Sequence, residues 1–339
     1  MWRTSGIRIS FFSLVVLTVC IQRTDSQEQP CTIRKLTVSF RDAQNLPLQN
    51  ISVSDLEAKV HGKPVKILSI APDPRPHRLV LIMDASGSMG SSQGDTPLWI
   101  LELSLARHLF EMNRERFPIA LLVFNEHGND TTDFMKGNSA VGEKLYRIAE
   151  DRDYIKSHVN GRTALRDAIL QGIQLLNHPT SADAVYVLTD GRDNLSRENP
   201  SDFSRRLAVS SVRVFAVLLY QRLSNRNRTP EEYGPTELKE ITRKSGGEIL
   251  TAAEWHGKSV ALTANAEAKV KSEETLHRLY QAILQDSLLE VELPAPLAKN
   301  EHLELKLSNA ARQRWKNAQI TYPDTLLSCN AEVSGSGRN

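Results

Sequence analysis

The run Leu79–Met83, followed directly by Asp84-Ala85-Ser86-Gly87-Ser88, constrains this chain more than any other stretch. Five consecutive apolar residues without helical spacing, stopped abruptly by small and polar ones, predict a strand buried on both faces. Such a strand needs a covering layer on each side. Asp84, Ser86 and Ser88 then alternate with small residues, which points their oxygens to one side of a tight loop. Carboxylate and hydroxyl oxygens suit a hard cation, Mg²⁺, Ca²⁺ or Mn²⁺, and not Zn²⁺.

The rest of the middle of the chain supplies the covering layers. Leu98–Asn113 carries Leu98, Leu101, Leu105 and Leu109 at helical spacing, and Phe117–Phe124 reads as the next buried strand. Thr131–Met135 is a short edge candidate, Val141–Ala149 a helix, and Thr163–Leu176 a second helix with Leu165, Ile169, Ile173 and Leu176 on one stripe. Strand Ala184–Leu188 ends on Thr189-Asp190-Gly191. A helix near Phe203–Val209, strand Val212–Leu219, helix Thr236–Lys244, a short strand near Ile249 and helix Glu274–Gln285 complete the alternation. Repeated strand-helix units imply an α/β fold, a doubly wound, mainly parallel sheet with helices on both faces.

Both flanks read differently. Ile33–Phe40, Leu56–Val60 and Val65–Ile70 are strand-like, with a turn at His61–Pro64, and the proline-rich run Ala71–Pro76 is expected to be an extended linker. After Ser287 three strand-like segments return, marked by Leu289-Val291-Leu293, Leu303-Leu305-Leu307 and Ile320-Tyr322. The expected organisation is a signal segment 1–26, an N-terminal β module with its linker 27–76, the α/β domain 77–286, C-terminal strands 287–330 that pack with the N-terminal module, and a tail 331–339.

Arg3 and Arg8, the apolar Ile9–Val19 and the small-residue exit Thr24–Ser26 describe a cleavable export signal. Cys20 offers a bacterial lipid-anchor site instead, although Val19 is bulkier than the residue expected before such a cysteine. Without residues 1–26 the acidic and basic side chains balance to a formal charge of zero, which predicts neither a nucleic-acid nor a membrane partner. Cys31 and Cys329 then remain, one near each end. In an exported protein they suggest one disulfide, two unrelated buried thiols being the alternative.

Three separated pieces of the chain place oxygen donors at or beside strand ends: Asp84, Ser86 and Ser88; Thr163 within Asn160-Gly161-Arg162-Thr163-Ala164-Leu165; and Asp190. In an open parallel sheet ligands bind outside the carboxyl ends of the strands. Ser and Thr also cap helices, and Asp-Gly makes turns, so each piece alone has a bland explanation. Together they resemble the von Willebrand factor A (VWA) family, with all five positions of its metal-ion-dependent adhesion site filled. The resemblance covers roughly residues 78–285. With its flanks the chain looks like exported bacterial VWFA-related proteins of the acidobacterial type, although His61 departs from the acidic residue usual before Gly62-Lys63-Pro64.

The resemblance implies a Rossmann-like VWA fold and a bound Mg²⁺, or Mn²⁺ or Ca²⁺, with one replaceable position that an acidic side chain of a protein partner completes. It also implies a last helix, here Glu274–Gln285, that moves between weak and tight binding. Arg162, Arg192, Arg222, Arg226 and Arg228 lie in loops on the same side; they form either a rim favouring acidic ligands or ordinary solvated loop charge. Asp193 and Asn194 either tune the site or build its turn. A hydrolase is the contrasting reading, since an open cation can activate water, but no His or Glu base accompanies the five donors in their loops, His158 being the nearest in sequence. A structural envelope protein with a fold-stabilising ion is the third. Asn50, Asn129, Asn194 and Asn227 stand in Asn-x-Ser/Thr patterns that matter only in a eukaryotic host.

Overall fold

The computed structural model describes residues 31–43, 46–48, 50–73, 77–90, 97–219, 233–251, 277, 280 and 286–329. Residues 1–26, the tail 331–339 and the loop carrying Arg222, Arg226 and Arg228 lie outside them, as does most of the expected last helix, of which His277 and Tyr280 are helical.

The six strands of the first sheet run in the order β6-β5-β4-β7-β8-β9. They are β4 (Leu79–Asp84), β5 (Ile119–Asn125), β6 (Gly128–Thr132), β7 (Ala184–Thr189), β8 (Arg213–Leu218) and β9 (Ile249–Thr251). All pairings are parallel except that of β6 with β5. Every residue of β4 is buried, as its unbroken apolar run requires. The twofold alternation of a strand splits that run between two cores. Leu79, Leu81 and Met83 pack with Leu103, Ala106, Leu109 and Phe110 of helix α2 (Leu98–Asn113), which the short helix α1 (Gly87–Gly90) precedes. Val80 and Ile82 face the opposite layer, with Ile169, Leu170 and Ile173 of helix α5 (Leu165–Leu175). Helices α3 (Gly137–Glu150) and α4 (Tyr154–His158) lie between α2 and α5 in the chain, and α6 (Pro200–Ser210) and α7 (Tyr233–Ser245) follow β7 and β8. This is the doubly wound, mainly parallel α/β sheet expected from the sequence.

A second, antiparallel sheet of seven strands draws on both ends of the described chain. Its strands are β1 (Ile33–Arg41), β2 (Leu56–Val60), β3 (Lys63–Pro72), β10 (Ser287–Glu292), β11 (Glu301–Leu307), β12 (Gln319–Thr321) and β13 (Thr325–Leu326), in the order β12-β1-β10-β3-β2-β11-β13. Alternate residues such as Leu36, Val38 and Phe40 of β1 and Leu303, Leu305 and Leu307 of β11 build its own core. The parallel sheet is thus inserted between β3 and β10, which are neighbours. The chain leaves and returns side by side, with Ser287 opposite Pro72 and the Asp73 N–H donating to the Asp286 carbonyl at 3.1 Å. Both sheets belong to one compact unit that begins at Cys31. Cys31 and Cys329 are joined by a disulfide, with Cα atoms 6.0 Å apart.

Several boundaries move. Ala71 and Pro72 are the end of β3 and not the start of a linker, and Pro64 stands near its beginning. Proline is tolerated there because each is paired on one side alone: Pro64 stands opposite Lys59 of β2 before the ladder to β10 begins at Lys66, and Pro72 stands opposite Ser287 of β10 after the ladder to β2 has stopped at Val65. The edge strand is Gly128–Thr132, while Met135 sits in the turn Phe134–Lys136 with 94% of its surface exposed. Helix α5 starts at Leu165, so Thr163 stays in the preceding loop.

Candidate metal centre

β4 lies between β5 and β7, and the helices that precede those two strands, α2 before β5 and α5 before β7, cover opposite faces of the sheet. Such a reversal opens a crevice at the carboxyl end of the strand, where Asp84 is the last residue of β4. Asp84 and Ser86 are fully buried. The Ser86 N–H donates to Asp84 Oδ1 at 2.9 Å, and the Ser86 and Ser88 hydroxyls are 3.2 Å apart. The spacing Asp-x-Ser-x-Ser therefore curls back on its own carboxylate.

Two further loops close on this turn. Asn160 N–H donates to the Ala85 carbonyl at 2.9 Å, and Gly87 N–H to the Gly161 carbonyl at 2.9 Å, which docks the segment carrying Thr163. Thr163, 2% exposed, is held by its main chain: its N–H donates to Asn194 Oδ1 at 2.9 Å, and its carbonyl accepts from Asn194 and Leu195. Asp193 accepts from the Arg166 N–H at 2.9 Å and from the Ser196 N–H at 3.0 Å. Asp193 and Asn194 thus fasten the third loop to the second. Asp190, on that third loop, is partly exposed and acts electrostatically on Asp84.

Two participants escaped the sequence reading. Thr189 donates its hydroxyl to Asp84 Oδ2 at 2.5 Å. Glu102 of α2 is fully buried beneath the turn, and its Oε1 accepts the Asp84 N–H at 2.6 Å. Its signal was present: Glu102 follows Leu98 by four positions and precedes Leu105 by three, a carboxyl on the apolar face of the helix.

Burial, and then the neighbouring Asp190 carboxylate, push the Asp84 carboxyl up to about 7. Burial and then Asp84 raise Glu102 well above the usual carboxylate range. A divalent cation beside these groups would offset the cost of burying them. The donor set fits a hard ion, since Asp84, Ser86, Ser88, Thr163 and Asp190 offer oxygen alone. Among the described residues no cluster of three or more His, Cys, Asp or Glu is placed to hold a metal, so an ion here would depend on hydroxyls.

Around the rim, Arg162 donates from its main chain and side chain to Glu126, and Arg192 Nε lies 3.7 Å from Asp190 Oδ2. His158 ends α4, stacks on Tyr154 with centroids 4.4 Å apart, and meets the Ser157 hydroxyl through Nδ1 at 2.7 Å. Gly161 has φ +79°, and a Cβ there would sit 2.4 Å from Glu126 Cγ. Gly161→Ala is therefore expected to cost about 1–3 kcal/mol, read by urea denaturation. An unchanged midpoint would show that this loop accommodates a side chain.

No protein-family model matches the chain, and no curated protein matches it significantly. Among solved structures it is similar to an aerotolerance-related membrane protein from Bacteroides fragilis, at 15% identity over 61% of this chain and 98% of that one, TM-score 0.41. The VWA domain of SpRpn10 matches at 10% identity over 52% of this chain and 88% of that one, TM-score 0.38. A von Willebrand factor type A protein from Catenulispora acidiphila matches at 12% identity over 89% of this chain and 74% of that one, TM-score 0.40.

Proposed function

We propose that this protein is an exported VWA-type module that binds a protein partner through a divalent cation, Mg²⁺ or else Mn²⁺ or Ca²⁺, held by Asp84, Ser86, Ser88, Thr163 and Asp190. The observation that carries the reading is the junction of three loops at the carboxyl end of β4, where the Asp84 carboxylate is cradled by Ser86 and Thr189 and lies near Asp190. Neutral hydroxyl donors leave a bound ion incompletely neutralised, which favours an acidic group on the partner. The Cys31–Cys329 disulfide supports an oxidising location, in the cell envelope or outside the cell. Among the described residues no helix is long and apolar enough to cross a membrane.

The test is capture from an envelope extract on immobilised wild type and Asp84→Ala, each with Mg²⁺ or with chelator, alongside calorimetric titration of Mg²⁺. Recovery is expected only with wild type and Mg²⁺, and no measurable Mg²⁺ heat with Asp84→Ala. Equal recovery in all four arms would remove the metal-dependent reading. Because Asp84 and Ser86 are fully buried, a purely fold-stabilising ion in a structural envelope protein is the second reading. A chelator that lowers Tm but leaves capture intact selects it.

A further inference from the structure

We infer that Glu102 is a positioning residue of the cation site: it fixes the turn on which Asp84, Ser86 and Ser88 present their oxygens by accepting the Asp84 N–H from beneath. The inference rests on the cation reading above and adds to it a residue outside all three loops.

The need arises where β4 ends. Its ladder to β5 extends to Asp84 opposite Phe124, but its ladder to β7 stops at Met83 opposite Leu188. The Asp84 N–H therefore stands at the last rung of the β7 ladder, on a fully buried residue where the strand gives way to the loop. Glu102 Oε1 accepts this N–H at 2.6 Å and so ties helix α2 to the main chain at the very point where the donor turn begins. Nothing in the packing of α2 asks for a carboxyl at this position. Its neighbours on the buried face are Trp99, Leu103, Leu105 and Ala106, and an aliphatic side chain would satisfy them. Burying a carboxyl instead has a cost, offset here only by the one hydrogen bond.

The second oxygen points the same way. Glu102 Oε2 is fully buried and has no hydrogen-bond partner among the described residues. Because Glu102 Oε1 meets the main chain of Asp84 itself, the first of the five donors, it lies at the site and not off to one side. A side chain selected only to cap the strand end could be a serine or an asparagine with no orphan atom. Glu102 is better understood as a rigid underlay on a long helix: α2 carries it, the carboxyl holds the Asp84 main chain, and the Asp84 side chain is left free to turn outward to Ser86 and Thr189. Groups that orient metal ligands in this way typically govern affinity by about 10–100-fold.

The test uses the full chain and Mg²⁺ as the probe, with Kd from calorimetry and fold from near-ultraviolet circular dichroism. Glu102→Gln keeps a carbonyl oxygen for the Asp84 N–H and is expected to hold Mg²⁺ within about threefold of wild type, while Glu102→Leu weakens it at least about tenfold. Folded Glu102→Leu with wild-type Mg²⁺ affinity would overturn the positioning role while leaving the cation reading intact. A tenfold loss in Glu102→Gln would overturn it too, by showing that the charge and not the hydrogen bond matters. Wild type that binds no Mg²⁺ would overturn both. If Glu102→Leu does not fold, Glu102→Asn decides: its shorter side chain withdraws the acceptor while keeping a polar group, at least about a tenfold loss of Mg²⁺ affinity is expected, and wild-type affinity overturns the role.

Discussion

Arg213→Met should destabilise the fold by about 3–5 kcal/mol, the usual loss when one member of a buried ion pair is removed and the other is left uncompensated. Arg213 begins β8 with its side chain 1% exposed, and its Nη2 lies 2.5 Å from Asp286 Oδ2, which is itself fully buried. Asp286 Oδ1 accepts from the Ser39 hydroxyl of β1 at 2.6 Å, and Arg41, also from β1, is paired with Glu248 at 3.5 Å. The cluster therefore joins the two sheets at the point where the chain passes from the parallel one to β10. Burial raises the Asp286 carboxyl and Arg213 opposes that rise, so without the guanidinium the carboxyl would have to take up a proton or draw in water. Arg213→Met/Asp286→Leu should recover most of the loss, because removing both charges leaves nothing to desolvate. Urea titration of the four proteins measures the cycle. A single mutant within 1 kcal/mol of wild type would mean that the pair is solvated in solution.

How far the sequence could be read follows from how local each signal is. The buried strand Leu79–Asp84 was legible because five apolar residues without helical period can be covered only from both sides. Its loop was legible because Asp-x-Ser-x-Ser folds onto itself. Thr163 and Asp190 were placed by what precedes and follows each, and the structure joins their loops through Asn160, Gly161 and Asn194, residues whose side chains alone announce nothing. Glu102 was missed because an acidic residue in a helix is ordinarily assigned to the solvent face. Its burial depends on a strand end that is distant in the chain. The Arg213–Asp286 pair was invisible for the same reason, as a contact between two elements that only the insertion of one sheet into the other brings together. β13, two residues long, is too short to carry a periodicity, and it was not expected.

The largest effect at the candidate site should appear as a pH dependence of the metal-free protein. The Asp84 carboxyl is raised from 3.8 to about 7, so between those values the folded state holds a proton that the unfolded state has released. Stability from this group is then fully present below about pH 4 and lost as pH rises through 7, a fall of up to about 4 kcal/mol. Acid titration of ordinary carboxylates runs the other way, so the contribution is isolated by difference from Asp84→Asn. That variant keeps the fold and an acceptor for Ser86 but has no charge to bury at this position, so it should decline less than wild type across pH 5–8, the residual slope being that of Glu102. At pH 8 without metal it should be the more stable protein. Adding Mg²⁺ at pH 8 should restore wild type, since the cation replaces the proton as the partner of the carboxylate, and should leave Asp84→Asn almost unmoved. Parallel pH profiles for the two proteins without metal would mean that Asp84 is not strained in solution. A Mg²⁺ response of equal size in both would place the ion elsewhere. The expected pattern is that of a binding site held at some cost to stability: the chain keeps two carboxyls, Asp84 and Glu102, buried at one turn, and an added cation relieves them.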